Sequence, residues 1–294
     1  MARWQVFVNR AAGSRAVEPA VVAEALRAER VDGEIVVPES AAQMIDLVTA
    51  AAKEGTTHFA VVGGDGTVNL TVNALLDLDA GLRPVIGVLP AGTGCDLLRT
   101  FGLPQDLGGA ARHLATEEVY DIDVATLEGG WGRRYFVNVA EAGVGAAAVQ
   151  TSGRMRRRLG AARYPLAFAA SLPRFPASRV TVVTERRTYE SEALAVILAN
   201  GQFFAGGWNV APKASLIDGL VDIQIFNCKK TRAPALVPKI IKGTHLPDPA
   251  VRRFSAAEFT VETDPSWPVE CDGDLVGNTT VRGRVLPAAI SLKI

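Results

Sequence analysis

The run His58-Phe-Ala-Val-Val-Gly-Gly-Asp-Gly-Thr-Val-Asn69 holds the residue types with the clearest chemical use. An apolar stretch that reads as a buried strand runs into Gly63, Gly64, Asp65 and Gly66, and the pattern then opens a helix at Thr67. Glycines permit positive φ and bring backbone N–H groups within hydrogen-bond distance of a bulky anion, while a helix N-terminus adds its positive dipole end. The turn therefore reads as a phosphate cradle, with Gly64 and Gly66 expected at positive φ. A carboxylate beside phosphates is repulsive unless a cation bridges it or it bonds a reacting group, which makes Asp65 a candidate for either task. The plain alternative is a tight strand-to-helix turn that binds nothing.

Two further turns have the same build. Val85 to Asp96 places Gly92 and Gly94 around Thr93, whose hydroxyl and amide suit a phosphate or ribose, and Phe7 to Ser14 leaves a first strand through a short polar turn. The elements that must position them alternate. Gln5–Val8, Glu34–Val37, His58–Val62 and Val85–Leu89 read as strands, and Val17–Arg30, Ala41–Glu54 and Val68–Asp77 as helices. Such βαβ alternation predicts a parallel sheet with helices on both faces, so that turns after successive strands converge on one ligand-binding edge.

After about residue 120 the pattern changes to β-rich segments, Glu118–Leu127, Arg134–Val139, Arg179–Glu185, Thr188–Asn200, Leu220–Phe226, Ser255–Glu262 and Arg284–Leu292, joined by glycine turns. These predict an antiparallel sandwich or barrel. Helical stretches interrupt it at Leu159–Leu172, after Arg154, Arg156, Arg157 and Arg158, and at Ala233–Lys242. The expected domains are 1–125, α/β, and 126–283, β-rich, with the final strand at about 284–294 a candidate to return to the first; two domains allow a cleft between them.

At 294 residues with 48% hydrophobic and 21% charged residues the chain can bury sizeable cores. Its formal net charge of zero supplies no whole-molecule field for nucleic acid, which is not an expected partner. Cys95, Cys228 and Cys271 lack the spacing of a zinc site or a disulfide framework and suit a reducing cytoplasm. No apolar run approaches a bilayer span. His58, His113 and His245 are isolated and read as structural or exposed.

The motifs resemble the diacylglycerol kinase catalytic family, which includes sphingosine and ceramide kinases. The resemblance rests on VNRAAGS at 8–14, GGDGTVN at 63–69, LPAGTGCDLLR at 89–99, ANGQFFAGGWNVAPKASLIDGLVDI at 199–223 and DGD at 272–274. It implies a phosphofructokinase- and NAD-kinase-like α/β domain followed by a β-sandwich, and ATP-dependent phosphorylation of a hydroxyl of diacylglycerol or a related lipid. By the same resemblance ATP lies along Asn9, Arg10, Ala11, Ala12 and Gly13, along Gly63, Gly64, Asp65, Gly66, Thr67 and Asn69, and at Gly92 and Thr93. Mg²⁺ is expected on the Asp218 carboxylate and the carbonyls of Ser215 and Leu220, a donor set that suits a hard cation; the local alternative is a hairpin turn at Asp218-Gly219. Asp274 is the first candidate for the base that takes the hydroxyl proton, with Asp272 and then Asp65 behind it, and an Asp-Gly-Asp surface turn is the alternative.

Three departures from the family pattern stand out. Cys95 replaces the usual Asn, Pro38 stands near a usual nucleotide-touching Thr, and Asp274 replaces a Glu with a stem one methylene shorter. Rival functions are a kinase of a soluble hydroxyl compound, as in NAD kinases, and a catalytically silent nucleotide- or lipid-binding regulator. Lys213 and the Arg154–Arg158 cluster are candidates to meet phosphates or anionic head groups, with a solvated face as the alternative. The stretch Leu159–Leu172 is a candidate to rest on a leaflet and shape a slot for acyl chains. A peripherally membrane-associated cytoplasmic enzyme is expected, with a homodimer as a candidate assembly.

Overall fold

The computed structural model describes residues 3–10, 17–78, 83–91 and 95–294. The chain divides into one unit of Met1–Asp123 with Ala288–Ile294 and a second of Val124–Pro287.

In the first unit β1 (Trp4–Val8) lies between β2 (Gly33–Val36) and β3 (His58–Gly63), and β4 (Val85–Pro90) follows β3, all parallel. The end of β16 (Val281–Lys293) adds to β4, also in parallel, at Ser291 and Leu292. Val6, Phe7, Val8 and Phe59–Val62 are fully buried, the near-continuous apolar signature of strands covered on both faces. Helix α1 (Pro19–Ala28) takes Pro at its first position and buries Val22 and Leu26, four residues apart. Helix α2 (Ala41–Lys53) is capped by Ser40, whose hydroxyl accepts from the Gln43 amide at 3.1 Å, and buries Met44 and Val48. Helices α3 (Asp65–Leu76), α4 (Asp96–Thr100) and α5 (Leu107–Ala115) complete the unit; Asp106 caps α5 through the Gly109 amide at 2.8 Å.

The second unit is antiparallel. One sheet pairs the start of β16 with β13 (Glu258–Asp264), then β8 (Ser178–Thr184) and β9 (Thr188–Ala193), and carries the β5 (Val119–Gly129) and β6 (Gly132–Phe136) hairpin on β16. The other runs β12 (Val251–Ala256), β11 (Val221–Phe226), β10 (Ala195–Ala199), β7 (Val139–Gly143), β14 (Pro268–Cys271) and β15 (Asp274–Asn278). Trp267, Phe136, Ile223 and Val269 sit in its core. Helices α6 (Val144–Gly153), α7 (Arg163–Ser171) and α8 (Ala233–Ile241) belong to this unit. An α/β domain with a parallel sheet and a β-rich antiparallel domain are thus both present, as the pattern predicts.

Some boundaries differ. Thr188–Asn200 is two strands in different sheets, split at Leu194, and Ser255–Glu262 covers the end of β12 and most of β13. Helix α3 begins at Asp65, so Gly64 is its N-cap and the expected opening at Thr67 is corrected by half a turn.

Candidate functional site

The candidate nucleotide residues begin where β1 and β3 end side by side. The Asn9 amide donates to the Val62 carbonyl at 3.1 Å, and the Asn9 side chain donates to the buried Thr67 hydroxyl at 3.0 Å. A Cβ at Gly63 would stand 2.3 Å from that hydroxyl, so glycine is needed there for Thr67 to close on the strand end. The expectation of positive φ at Gly64 and Gly66 is corrected: Gly64 is extended at φ −113°, and Gly66 lies in the first turn of α3 outside the left-handed region. Among the described residues no side chain caps α3. Among the described residues a Cβ at Gly66 meets nothing within 4 Å. A helix N-terminus without a capping side chain is a fitting place for an anion.

Asn69 is buried and accepts from Asn73, which places it in the helix interior. Arg10 is exposed and pairs with Glu18 at 3.2 Å. A pocket lined by Asn9, Arg10, Val37, Pro38, Ser40 and Met44 opens at the ends of β1 and β2. Ala11, Ala12, Gly13, Gly92 and Thr93 lie outside the described residues.

Asp65 is assigned differently from its sequence reading. Its Oδ2 accepts from the Asp96 amide at 2.9 Å, and its Oδ1 from the Leu97 amide at 3.1 Å and the Cys95 thiol at 3.2 Å. The carboxylate therefore caps α4 instead of standing ready as a base. Burial first, then the Asp65 charge, pushes the Cys95 thiol well up, so it stays protonated and donates. Cysteine at this position completes the cap.

In the second unit the Asp-Gly-Asp segment is a two-residue hairpin turn. Cys271 pairs with Asp274 across it, and Asp272 and Gly273 have φ of 47° and 91°, both positive as a type I′ turn requires. Asp272 is corrected from base to clamp: it accepts from the amides of Val137 at 2.8 Å, Asn138 at 3.0 Å and Val139 at 2.9 Å. Asp274 is exposed, and no hydrogen bond or ion pair among the described residues engages its carboxylate.

Ser215, Asp218 and Leu220 lie in the connection between β10 and β11. Asp218 is exposed and its Oδ1 accepts from the Leu220 amide at 3.0 Å, with Gly219 at φ 70°, which is the turn alternative. Among the described residues no three acidic, His or Cys groups gather as a metal cage. One carboxylate with main-chain carbonyls still suits a cation that keeps most of its waters. Lys213 is exposed.

The sequence reading missed a pair of buried glutamates. Glu141 on β7 and Glu270 on β14 are direct cross-strand partners and so share one face of the sheet. Glu141 accepts from the Gly145 amide at 2.6 Å, and Glu270 from the Gly273 amide at 2.7 Å while its Oε1 is buried without a partner among the described residues. Burial pushes Glu141 up to about 7, and burial followed by the Glu141 charge pushes Glu270 well up. The pair lies close enough to Tyr164 to raise its hydroxyl further, after burial. Glu141 and Tyr164 face a narrow, otherwise apolar cavity under α7 and α8, lined among others by Phe168, Phe204, Trp208 and Leu236.

An unfolded glutamate ionises near 4.5 and folded Glu141 near 7, so over that window the native state holds a proton the unfolded state has lost. Stability therefore falls as pH rises through the window, by roughly 3 kcal/mol for this group. Glu141→Gln keeps the acceptor for Gly145 and removes the charge. Its melting temperature is expected to exceed wild type at about pH 8 and to match it at about pH 5. Equal differences at both pH values in thermal melts would remove the charge argument.

A parallel-sheet domain with the uncapped N-terminus of α3 at the end of β3 and a sandwich with an apolar cavity fit a phosphotransferase of the kinase class. Residues 3–127 match the diacylglycerol kinase catalytic domain, and residues 138–294 the YegS C-terminal NAD kinase β-sandwich-like domain. The chain is 26% identical over 270 residues to the "Probable lipid kinase YegS-like" of Klebsiella pneumoniae (strain 342), covering 92% of this chain and 88% of that one. It is 25% identical over 248 residues to the "Probable lipid kinase YegS" of Salmonella heidelberg, covering 84% and 81%. A solved diacylglycerol kinase structure from Bacillus anthracis shares the fold with a TM-score of 0.77 at 22% identity, over 99% of this chain and 96% of that one. The chain belongs to the diacylglycerol kinase catalytic family, in its YegS-like form.

Proposed function

We propose that the chain transfers the γ-phosphoryl group of ATP to a hydroxyl of diacylglycerol or a closely related lipid. The observation that carries the reading is the cavity of the second unit, whose walls of Phe168, Phe204, Trp208, Leu236 and Ile240 suit an acyl chain and whose polar side chains are few. The N-terminus of α3 in the first unit supplies the complementary requirement, a helix end with backbone amides for phosphates.

Phosphoryl transfer needs positioning, neutralisation of phosphate charge and a group to take the hydroxyl proton. In this reading Asn9, Arg10 and the α3 N-terminus hold the nucleotide. Mg²⁺, held by Asp218 with the carbonyls of Ser215 and Leu220, would supply charge neutralisation. Asp274 accepts the proton, because its exposed carboxylate is the one in the hairpin not already occupied by backbone amides.

The test is phosphorylation from labelled ATP and Mg²⁺ across a panel of diacylglycerol, other lipid alcohols and soluble acceptors including NAD. Lipid phosphorylation is expected, with Val237→Trp, which narrows the cavity, raising KM for long-chain lipid about tenfold or more and leaving KM for ATP unchanged; a few lost apolar contacts are worth that factor. Phosphate appearing only on soluble acceptors would refute the reading.

A further inference from the structure

In the lipid-kinase reading Glu141 and Glu270 hold neither nucleotide, metal nor the lipid hydroxyl, yet both are buried, at 6% and 0% exposure, as direct cross-strand partners of β7 and β14. Such partners carry their Cβ atoms about 5 Å apart on one face of the sheet. Among the described residues their four oxygens receive two N–H donors, from Gly145 and Gly273. No lysine, arginine or histidine among the described residues forms an ion pair with either carboxyl.

The ionisable groups around the pair supply no compensating cation. Burial, then the charge of Glu141, then those of Asp272 and Asp274 all oppose ionisation of Glu270, against the single favourable bond from Gly273. Tyr164 on α7 and the Cys271 thiol keep their protons, because burial first and then the neighbouring carboxylates push both well up; Arg134 on β6 acts on Cys271 in the opposite sense. Helix α6, packed on β14, has no ionisable residue between Val144 and Gly153. Two carboxylates in such a place do not both stay charged, so the pair keeps one proton between them near neutral pH.

The charge that remains has a use. Glu270 Oε2 accepts from the Gly273 amide at 2.7 Å, and Gly273 is the residue before Asp274. Its φ is 91°, and a Cβ there would meet nothing within 4 Å among the described residues, so packing does not restrain this backbone. Glycine is the residue that most needs such a restraint, having the widest choice of conformations. Asp272 fastens the near side of the turn to three amides, and the Glu270 bond restrains the far side, from which Asp274 projects.

We propose that Glu270 is a positioning residue for phosphoryl transfer: side by side with Glu141 and sharing one proton with it, it holds the Gly273 amide and thereby fixes where the Asp274 carboxylate stands. When the shared proton leaves, two adjacent charges repel, Glu270 swings off its amide and turnover falls. The inference rests on the reading of Asp274 as the base, whereas the shared proton and the restraint on Gly273 do not.

The test is the pH profile of kcat and of both KM values, from about pH 6 to 9.5, with the lipid of highest turnover presented in detergent micelles. In wild type kcat is expected to fall on the alkaline side, above about pH 7, with the slope of one lost proton, while KM for ATP stays level and circular dichroism shows the fold intact at the assay temperature. Glu141→Gln cannot bring the second charge and is expected to lose that alkaline fall. Glu270→Ala removes the acceptor and lowers kcat about 10- to 100-fold at every pH, the effect of one hydrogen bond to a charged group, without moving KM for ATP. Exchange of the Gly273 amide with solvent, followed by NMR at pH 7, is at least about tenfold faster in Glu270→Ala than in wild type.

A level wild-type profile above pH 7, an alkaline fall that persists in Glu141→Gln, or unchanged Gly273 exchange in Glu270→Ala overturns the proposal. A role in stability alone would move the melting temperature and leave the profile of kcat untouched. Should Glu270→Ala fail to fold, Glu270→Gln, which keeps the acceptor but not the charge, decides: a level profile supports the pair and a wild-type profile removes it. Wild-type turnover in Asp274→Asn removes the base reading and the positioning role with it, whereas an alkaline fall that persists in Glu141→Gln removes the pair and leaves Asp274 standing.

Discussion

Asp272→Ala is expected to lower the stability of the β-rich unit by about 4 kcal/mol, a fall in melting temperature of roughly 10 °C. Three amides, those of Val137, Asn138 and Val139, end on this one carboxylate, and all three residues are at most 5% exposed. Removing the acceptor leaves buried N–H groups without a partner, which costs more per group than a typical hydrogen bond contributes. Alanine also tolerates φ 47° less well than aspartate, whose short polar side chain bonds the nearby backbone and so offsets the cost of the left-handed region. The Asp272 amide also donates to the Val139 carbonyl at 2.8 Å, so the hairpin and the start of β7 are held at both ends of the same residue. Asp272→Asn tolerates the backbone but exchanges one acceptor oxygen for a donor, and is expected to fall between alanine and wild type. The measurement is a thermal melt followed by circular dichroism; a fall of less than about 2 °C for the alanine variant would mean that water replaces the clamp.

The first unit was legible because its signals are local. Continuous apolar strands and helical spacing of buried residues each lie within a few positions, and β1 to β4 and α1 to α3 fall where they point, whereas α4 and α5 were not anticipated. Asp65 was misread for the complementary reason. Its carboxylate belongs to the helix that starts at Asp96, and nothing within the Gly63–Asn69 run shows that partner. In the second unit, Thr188–Asn200 has the strand pattern throughout, but the alternation of Thr188–Ala193 gives way to the wholly buried Ala195–Ala199. That change marks a chain leaving one sheet for the centre of the other, and a single residue, Leu194, makes the passage. Helix α6 escaped detection because Val144–Gly153 is made of small residues and lacks a polar stripe, its form being set by burial of Val144, Ala146 and Ala148. Glu141 and Glu270 meet only through strand register, which the sequence between them does not encode in any short motif. The alternation in Pro268–Cys271 is the one hint, since it puts a glutamate among buried strand residues.

Asp274→Asn is expected to lower turnover by about 10² to 10⁴-fold while leaving ATP affinity and melting temperature unchanged. A lipid hydroxyl is a poor nucleophile at neutral pH, and a positioned carboxylate that takes its proton as the new phosphorus–oxygen bond forms supplies an effect of that size. The hairpin places this group without using it: Asp272 is anchored by three amides, Gly273 donates to Glu270, and Asp274 follows on β15, exposed and, among the described residues, unengaged. Stability should not move, because no hydrogen bond or ion pair among the described residues is lost with the charge. Asparagine keeps the size and polarity of the side chain and cannot hold a proton from the substrate, so the two variants at 272 and 274 separate a structural carboxylate from a chemical one. Asp274→Glu lengthens the carboxylate stem by one methylene and is expected to keep at least wild-type turnover if reach limits the present side chain. Turnover, ATP binding by calorimetry and a thermal melt on the same preparations decide the matter. Wild-type turnover in Asp274→Asn would remove the assignment, and Asp65 could not inherit it, since its oxygens are already bonded to the start of α4.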